Sequence, residues 1–274
     1  MNSLNLSKAG SPTLYKSIIL VGDSYGIPVL LKYVPRDLVK GIVGASIRPQ
    51  YIDELAKISQ ETGVKFLLQP KYHSSGYPGL VEQIASLKPD LLICNSYSMI
   101  IREDILALVK YNAINIHEAL LPKNRGANPV QWAIIKGEAQ TGVTMHYLDN
   151  GIDSGDIIAQ RKVAIDLKDN WCSLKSKLSV QAEYLIKEEI PAILSGQNER
   201  LPQDSAAATY NQRLTPASPR IDFKVMSDLE VYNLIRAQVK PLSGAYLEHN
   251  GQKVYFSDFV GYEKIKELRE KYAC

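Results

Sequence analysis

Short apolar runs alternate with amphipathic stretches along the first half of the chain. The apolar runs are typical of buried strands and lie at residues 17–21, 41–45, 65–68, 90–95 and 113–117. Stretches with helical spacing of apolar residues separate them, at 27–33, 51–62, 80–87 and 102–109. Continuous apolar strands that alternate with helices predict a mostly parallel sheet covered by helices on both faces. The pattern therefore predicts an α/β fold.

The pattern changes after about residue 200. Before that point it predicts a helix near 129–136, strands at 142–147 and 156–163, and a long helix at 171–194. Polar residues at 195–208 are typical of a linker. Beyond them it predicts a helix at 228–238, a hairpin whose strands at 245–248 and 253–256 join through Asn250-Gly251, and a charged helix at 262–272. We therefore expect a domain of residues 1–200 and a small α+β module of residues 201–274.

Composition excludes several classes of protein. The 274 residues carry 32 Lys/Arg and 29 Asp/Glu, a net charge of +3, so the overall balance does not indicate a polyanion-binding surface. Cys94, Cys172 and Cys274 lie far apart, which argues against a disulfide framework and a cysteine-rich zinc site. The first 16 residues hold no apolar targeting core, and no apolar run approaches the ~20 residues of a membrane span. We expect a cytoplasmic protein with no membrane partner.

The stretch INIHEALLPKNRG carries the first candidate chemistry. Asn115 and His117 stand two apart near the carboxyl end of a predicted strand, so their side chains share a face. An amide can donate to an oxyanion and an imidazole can move a proton near neutral pH, a combination that serves acyl transfer. The alternative is structural: Asn115 forms hydrogen bonds with the backbone of a loop, and His117 is a buried core histidine. The following loop also carries two cations, Lys123 and Arg125.

The stretch TGVTMHYLDNGIDSGD ends in a loop with three acids, Asp149, Asp153 and Asp156. Metal binding is one interpretation, but the spacing fits no EF-hand and no histidine follows in a ligand pattern, so we expect no metal. A carboxylate that orients His117 explains more. Asp149 and Asp156 are also typical turn formers beside glycine. The other histidines, His73, His146 and His249, show no partner in the sequence and are interpreted as structural.

Together these motifs closely resemble the folate-dependent formyltransferases, the family that includes methionyl-tRNA formyltransferase. The ordered set is NxH, LLPxxRG, TGVT and DSGD, and the resemblance covers roughly residues 17–195. It implies a Rossmann-like catalytic domain, 10-formyltetrahydrofolate as cosubstrate and no metal. It also implies a catalytic triad of Asn115, His117 and Asp153. The folate pocket implied by the family is built largely from backbone, here at Met99, Ile100 and Ile101 and at Asp149, Asn150, Gly151 and Ile152.

The resemblance also implies the reaction. An uncharged amine attacks the formyl carbon held on N10 of the folate, and Asn115 and protonated His117 stabilise the oxyanion that forms. Asp153 holds the histidine or accepts the ammonium proton, and the sequence leaves these two roles open.

The identity of the amine that accepts the formyl group has to be inferred from the carboxy-terminal residues. The motifs RLTPASPRIDF, LIRA and PLSGAY resemble the start of the carboxy-terminal domain shared by methionyl-tRNA and sugar formyltransferases, although Ala217 and Ser218 stand where that family often has an acid. Residues 205–274 hold 10 Lys/Arg and 8 Asp/Glu, a net of +2, and too few strands are predicted for an OB-type barrel. Both observations disfavour a nucleic-acid partner. We therefore expect a sugar N-formyltransferase acting on a nucleotide-linked amino-dideoxy sugar (dTDP, UDP or GDP), as used for lipopolysaccharide O-antigen and other surface polysaccharides.

The alternatives are a methionyl-tRNA formyltransferase, a hydrolase of formyl-folate, and a catalytically silent nucleotide-binding protein. Candidate substrate-binding residues are basic or aromatic. Lys123 and Arg125 are assigned to a pyrophosphate, Arg213 and Arg220 to the nucleotide, and Lys71 and Tyr77, with Tyr72, to the sugar-nucleotide pocket. A homodimer formed through the carboxy-terminal module is implied by resemblance alone.

Overall fold

The computed structural model describes residues 13–110 and 112–272. The expectations about the extreme amino terminus and about Cys274 therefore lie outside the described residues. Contacts divide the chain into two compact units. The first runs up to Asn115 and includes Ile186–Arg200, and the second comprises Ile116–Leu185 and the residues from Leu201 onward.

The first unit is built from alternating strands and helices. Its strands are β1 (Ile18–Gly22), β2 (Val39–Ala45), β3 (Lys65–Gln69) and β4 (Leu91–Asn95). The helices that follow them are α1 (Gly26–Tyr33), α2 (Ile52–Thr62), α3 (Tyr77–Ser86) and α4 (Glu103–Leu108). Every residue of β1 and β4 is buried, which explains why both strands are continuous apolar runs rather than alternating ones.

The ends of two helices show how local sequence sets these elements. Helix α2 stops at Gly63, which adopts the left-handed conformation at φ 65° that favours glycine after a helix. Helix α3 begins at Tyr77 rather than at the expected residue 80, because Pro78 in its first turn is compatible with a helix start. Tyr77 therefore lies in a helix, not in the loop where the sequence pattern had put it.

The remaining elements run from β5 (Ala113–His117) onward. They are β6 (Arg125–Gly126), α5 (Pro129–Ile135), β7 (Gln140–Tyr147), β8 (Ile157–Ala164), α6 (Trp171–Ser195), β9 (Tyr210–Asn211), α7 (Asp228–Arg236), β10 (Ala245–His249), β11 (Gln252–Phe256) and α8 (Ile265–Tyr272). Within the described residues, seven strands form one sheet in the order β3-β2-β1-β4-β5-β7-β8. The pairs β1–β2, β1–β4 and β2–β3 are parallel, whereas β7–β8 is antiparallel. The order 3-2-1-4-5 is that of Rossmann-like sheets, and the predicted α/β class is confirmed.

The chain after residue 215 forms a small α+β module with its own apolar core. Residues of α7, β10 and α8 pack together in this core, among them Val231, Ala245 and Ile265. Ser227 starts α7 with a capping box that it shares with Glu230. The hairpin turns at Asn250-Gly251, whose φ angles of 50° and 73° are those of the favoured two-residue turn.

The polar segment that follows α6 is not a free linker, which corrects the expectation for residues 195–208. Leu201 exchanges both backbone hydrogen bonds with Ile157, at 2.8 and 2.9 Å. A little further on, β9 pairs with β6 in parallel, so that Tyr210 lies opposite Arg125. From Leu201 onward the chain is therefore bonded to other segments of the second unit. A domain boundary near residue 200 stays a prediction.

None of the helices in the described part of the chain combines the length and apolar character needed to cross a bilayer.

A close backbone approach makes Gly26 the first testable position. A Cβ on Gly26 would overlap the Asn95 carbonyl oxygen, whereas a Cβ on Gly79, also in the first turn of a helix, would meet no atom within 4 Å. We expect Gly26→Ala to lower the free energy of unfolding by about 1–3 kcal/mol. Gly79→Ala should leave it unchanged or raise it by up to about 1 kcal/mol. Urea unfolding of both variants tests this, and equal midpoints would contradict the approach of α1 to β4.

Candidate active site

The site is built around the end of β5. His117 is the last residue of that strand and is 7% exposed. Its Nε2–H donates to the Asn124 carbonyl at 2.9 Å, which fixes a proton on this nitrogen because a carbonyl can only accept. Asn115 is half-buried and precedes His117 by two residues in the same strand, so the two side chains project from the same face.

Asp153 reaches His117 from the loop between β7 and β8. Its Oδ2 lies 3.6 Å from His117 Nδ1 and accepts a hydrogen bond from the Gly126 N–H at 2.8 Å. Asp153 itself has a left-handed backbone, with φ 50°. The structure thus brings together the carboxylate and the imidazole that are 36 positions apart in the sequence.

A second imidazole contacts the same carboxylate, which corrects the structural interpretation of His146. This residue is fully buried on β7, and its Nε2 lies 3.5 Å from Asp153 Oδ1. Its Nδ1–H donates to the Tyr147 carbonyl at 2.8 Å. Each oxygen of Asp153 therefore faces one imidazole. The sequence did carry a signal, since His146 precedes Asp153 by seven residues in the same strand–loop unit.

The surroundings of Asp153 keep its carboxyl group ionised. Burial by itself raises the pKa of Asp153, since it disfavours the charged form. The His117 and His146 rings and the Gly126 N–H lower that pKa by more, so it lies well below the ordinary value for an aspartate. A buried and permanently charged carboxylate can orient an imidazole or stabilise a cation that develops next to it.

The loop before α5 is held by the segment around β9. The Asn124 N–H donates to the Thr209 hydroxyl at 2.8 Å, and the Asn124 carboxamide accepts from Lys136 Nζ at 2.8 Å. Gly126 has φ 91°, and a Cβ there would come within 2.8 Å of the Asn211 carbonyl oxygen. Only glycine therefore fits where this loop meets β9 and donates its N–H to Asp153.

The two segments assigned to the folate differ in their surroundings. In the second unit, Asp149 Oδ1 accepts from the Gly151 N–H at 3.0 Å and from the Ser154 hydroxyl at 2.7 Å, a turn of the expected kind, and Asn150 and Ile152 are exposed. In the first unit, Met99 and Ile101 are half-buried and Ile100 is exposed. The Ile100 carbonyl accepts from Gln69 Nε2 at 3.1 Å. Binding of folate by these residues stays a prediction.

Two of the proposed substrate contacts are enclosed by protein. Arg125 is 2% exposed, and its guanidinium donates to Gln203 Oε1 and to the Tyr210 hydroxyl, which leaves it a structural role rather than a pyrophosphate contact. Tyr77 is 3% exposed and donates to Asp104 at 2.8 Å. Burial and this hydrogen bond raise the pKa of Tyr77 well above its ordinary value.

The remaining candidates lie at the surface. Lys71, Lys123 and Arg213 are exposed. Arg220 is also exposed and forms an ion pair with Glu248 at 3.2 Å. Tyr72, unlike Tyr77, presents an accessible ring, over which the Arg102 guanidinium lies at 4.4 Å. Across the described residues, no group of three or more His, Cys, Asp or Glu side chains is arranged to hold a metal ion.

The charge state of Asp153 gives a test that needs no substrate. Because its folded-state pKa is depressed, Asp153 contributes stability that is present above its unfolded pKa of about 3.9 and is lost as the pH falls below that value. Asp153→Asn removes this contribution. We expect the urea midpoint of the unchanged chain to fall more steeply than that of Asp153→Asn between about pH 5 and about pH 3. Parallel profiles would contradict a depressed pKa.

Comparisons with known proteins agree on one family. The sequence model described as formyl transferase matches residues 41–190. Methionyl-tRNA formyltransferase of Staphylococcus aureus (strain MW2) is 37% identical over 189 residues, which are 68% of this chain and 60% of that protein. The chain thus matches about three-fifths of the length of this curated relative.

Solved structures show the same fold. A 4-N formyltransferase from Francisella tularensis superposes with a TM-score of 0.70 at 23% identity, over 90% of this chain and 98% of its own. An N-formyltransferase from Helicobacter canadensis, in complex with folinic acid and dTDP-3-aminofucose, superposes with a TM-score of 0.64 at 21% identity, over 88% of this chain and 86% of its own.

Proposed function

Because the chain belongs to the formyl transferase family, we propose that it transfers a formyl group from 10-formyltetrahydrofolate to the amine of a nucleotide-linked amino-dideoxy sugar. The observation that carries this proposal is the contact of the ionised Asp153 with His117, at the end of the strand that also bears Asn115. Acyl transfer to an amine needs donors for an oxyanion and a group that manages a proton, and these side chains supply both.

The reaction proceeds by direct attack. The uncharged amine nitrogen forms a bond to the formyl carbon, and the carbonyl electrons move to the formyl oxygen. The Asn115 amide and His117 Nε2–H donate to this oxyanion. The carbon–N10 bond then breaks, N10 gains a proton, and the attacking nitrogen loses one. Donation by His117 requires that its Nε2–H exchange the Asn124 carbonyl for the formyl oxygen.

Asp153 acts as the fixed negative charge of this site. Its carboxylate faces His117 Nδ1, so it stabilises positive charge on the ring while Nε2 donates to the oxyanion. It also stabilises the ammonium that forms when the amine attacks. His146 faces Oδ1 of the carboxylate and the Gly126 N–H donates to Oδ2, and these two contacts fix the orientation of the carboxylate.

Three observations support a sugar acceptor. Two solved N-formyltransferases superpose over 88% and 90% of this chain, and one of them, from Helicobacter canadensis, was solved with dTDP-3-aminofucose. The described residues of the carboxy-terminal module contain one two-stranded hairpin, β10–β11, rather than the strands of an OB-type barrel. The net charge of +2 over residues 205–274 is small for a surface that binds transfer RNA.

A methionyl-tRNA acceptor is the second candidate. It is favoured by the 37% identity to the Staphylococcus aureus methionyl-tRNA formyltransferase, which exceeds the 21% and 23% identity to the two solved N-formyltransferases. That relative, however, extends well beyond the matched length.

The oxyanion role of Asn115 predicts a loss of turnover without a loss of fold. Removing one oxyanion donor costs about 10²–10³ in rate, so we expect Asn115→Ala to lower kcat for formyl transfer by that factor. The unfolding midpoint should change little, since the side chain is only half-buried. Asn198→Ala, at another half-buried asparagine outside the site, is the matched control. Turnover of Asn115→Ala within about twofold of the control would contradict the assignment.

The acceptor is tested by product mass and by salt. A panel of nucleotide-linked amino sugars is incubated with 10-formyltetrahydrofolate, and we expect one formyl group to appear on the amine of one member. Binding of that acceptor should weaken only slightly with ionic strength, because few phosphates are neutralised. Binding of methionyl-tRNA would fall by about 10³ or more between low and moderate salt. Formylation of methionyl-tRNA alone would overturn the sugar proposal, and formate release without any amine would indicate a hydrolase.

A further inference from the structure

Gln203 lies outside the motifs that define the catalytic residues, yet its side chain connects two loops of the site. Its Oε1 accepts from Arg125 Nε at 3.1 Å and from Arg125 Nη2 at 2.8 Å. Its Nε2 donates to the Asp153 carbonyl at 2.9 Å and to the Gly155 carbonyl at 2.7 Å. A carboxamide has two donor hydrogens and two acceptor lone pairs, so these four bonds use its full capacity.

The bond to Asp153 acts on a residue with an unfavourable backbone. Asp153 has φ 50°, a left-handed conformation that L-residues other than glycine adopt at some cost. Such conformations persist when the surrounding structure fixes them. Gln203 fixes the carbonyl of Asp153, while the Gly126 N–H fixes its carboxylate. Rotation of Asp153 to negative φ would break the first bond and redirect the side chain away from His117.

Arg125 completes the connection. Its guanidinium holds Gln203 from the loop that also supplies the Gly126 N–H, and the Tyr210 hydroxyl accepts from Arg125 Nη1 at 2.7 Å. One amide therefore sets the spacing between the loop that donates to the carboxylate of Asp153 and the loop that carries Asp153 itself. This arrangement explains why a cation next to the candidate catalytic loop is 2% exposed.

We propose that Gln203 is a positioning residue for the reaction: its amide holds Asp153 in the left-handed conformation that directs the carboxylate at His117. The proposal rests on the proposed function, because it assigns Gln203 a role through Asp153. In this proposal the polar segment after residue 200 helps to position a residue of the site.

Gln203→Glu tests the donor role of this side chain separately from its acceptor role. The glutamate keeps the length of the side chain and still accepts from Arg125, now as an ion pair, but it cannot donate to the carbonyls of Asp153 and Gly155. We expect kcat for formyl transfer to fall by about 10- to 100-fold, the range typical of a misplaced catalytic group. Gln203→Ala should show a loss of similar size. Gln212→Ala, at an exposed glutamine nine residues further along the chain, is the matched control and should retain full turnover.

A double-mutant cycle tests whether the effect passes through Asp153. In an Asp153→Ala background, Gln203→Glu should cause little further loss, since groups that act as one unit are not additive. Losses that multiply would overturn the proposal and indicate a general structural role. If Asp153→Ala alone keeps wild-type turnover, the catalytic assignment under the proposed function fails instead, so the two failures are distinguishable.

Ring-proton NMR gives a readout that needs no activity. The chain has four histidines, of which His117 and His146 face Asp153, whereas His73 and His249 do not contact it in the described structure. Gln203→Glu should shift the ring signals of the first pair and leave those of the second pair in place. Unchanged signals for His117 and His146 would show that Asp153 keeps its position without Gln203, and would overturn the proposal.

Discussion

A buried negative charge is the constraint on which the candidate site depends. The side chain of Asp153 is 15% exposed, and an ionised carboxylate loses much of its hydration at such a position. The protein replaces that hydration with one backbone N–H, from Gly126, and with two imidazoles that face the two oxygens separately. The site is therefore arranged around the carboxylate of Asp153 as much as around His117 of the NxH motif.

This constraint explains several features of the surrounding loops. Gly126 must approach both Asp153 and the backbone of β9, and its φ of 91° leaves no room for a side chain. His146 is fully buried on β7 because its ring is one wall of the carboxylate pocket. Asn124 is buried because its carbonyl accepts from His117 and its side chain is bonded to Lys136 and Glu138. The small size of Gly126 and the burial of His146 thus follow from their contacts with Asp153.

The cationic side chains that the sequence analysis assigned to the substrate differ in burial. Arg125 has its guanidinium bonded to neutral groups within the second unit, and it contributes to the shape of the site. Lys71, Lys123 and Arg213 are exposed, and their role as substrate contacts stays a prediction.

The sequence alone determined the order of the main helices and strands and indicated the candidate catalytic residues. Apolar runs such as β1 and β4 are buried on both faces, so their identity follows from composition and length, and Asn115 and His117 share a face because two residues apart on a strand always do. Tertiary structure decided what His146, Arg125, Tyr77 and Gln203 do. Their roles depend on partners up to 85 positions away, and no local pattern records such a distance. Periodicity reports which side of an element is buried, but the hydrogen-bond partner of a polar side chain is known only when the chain has folded.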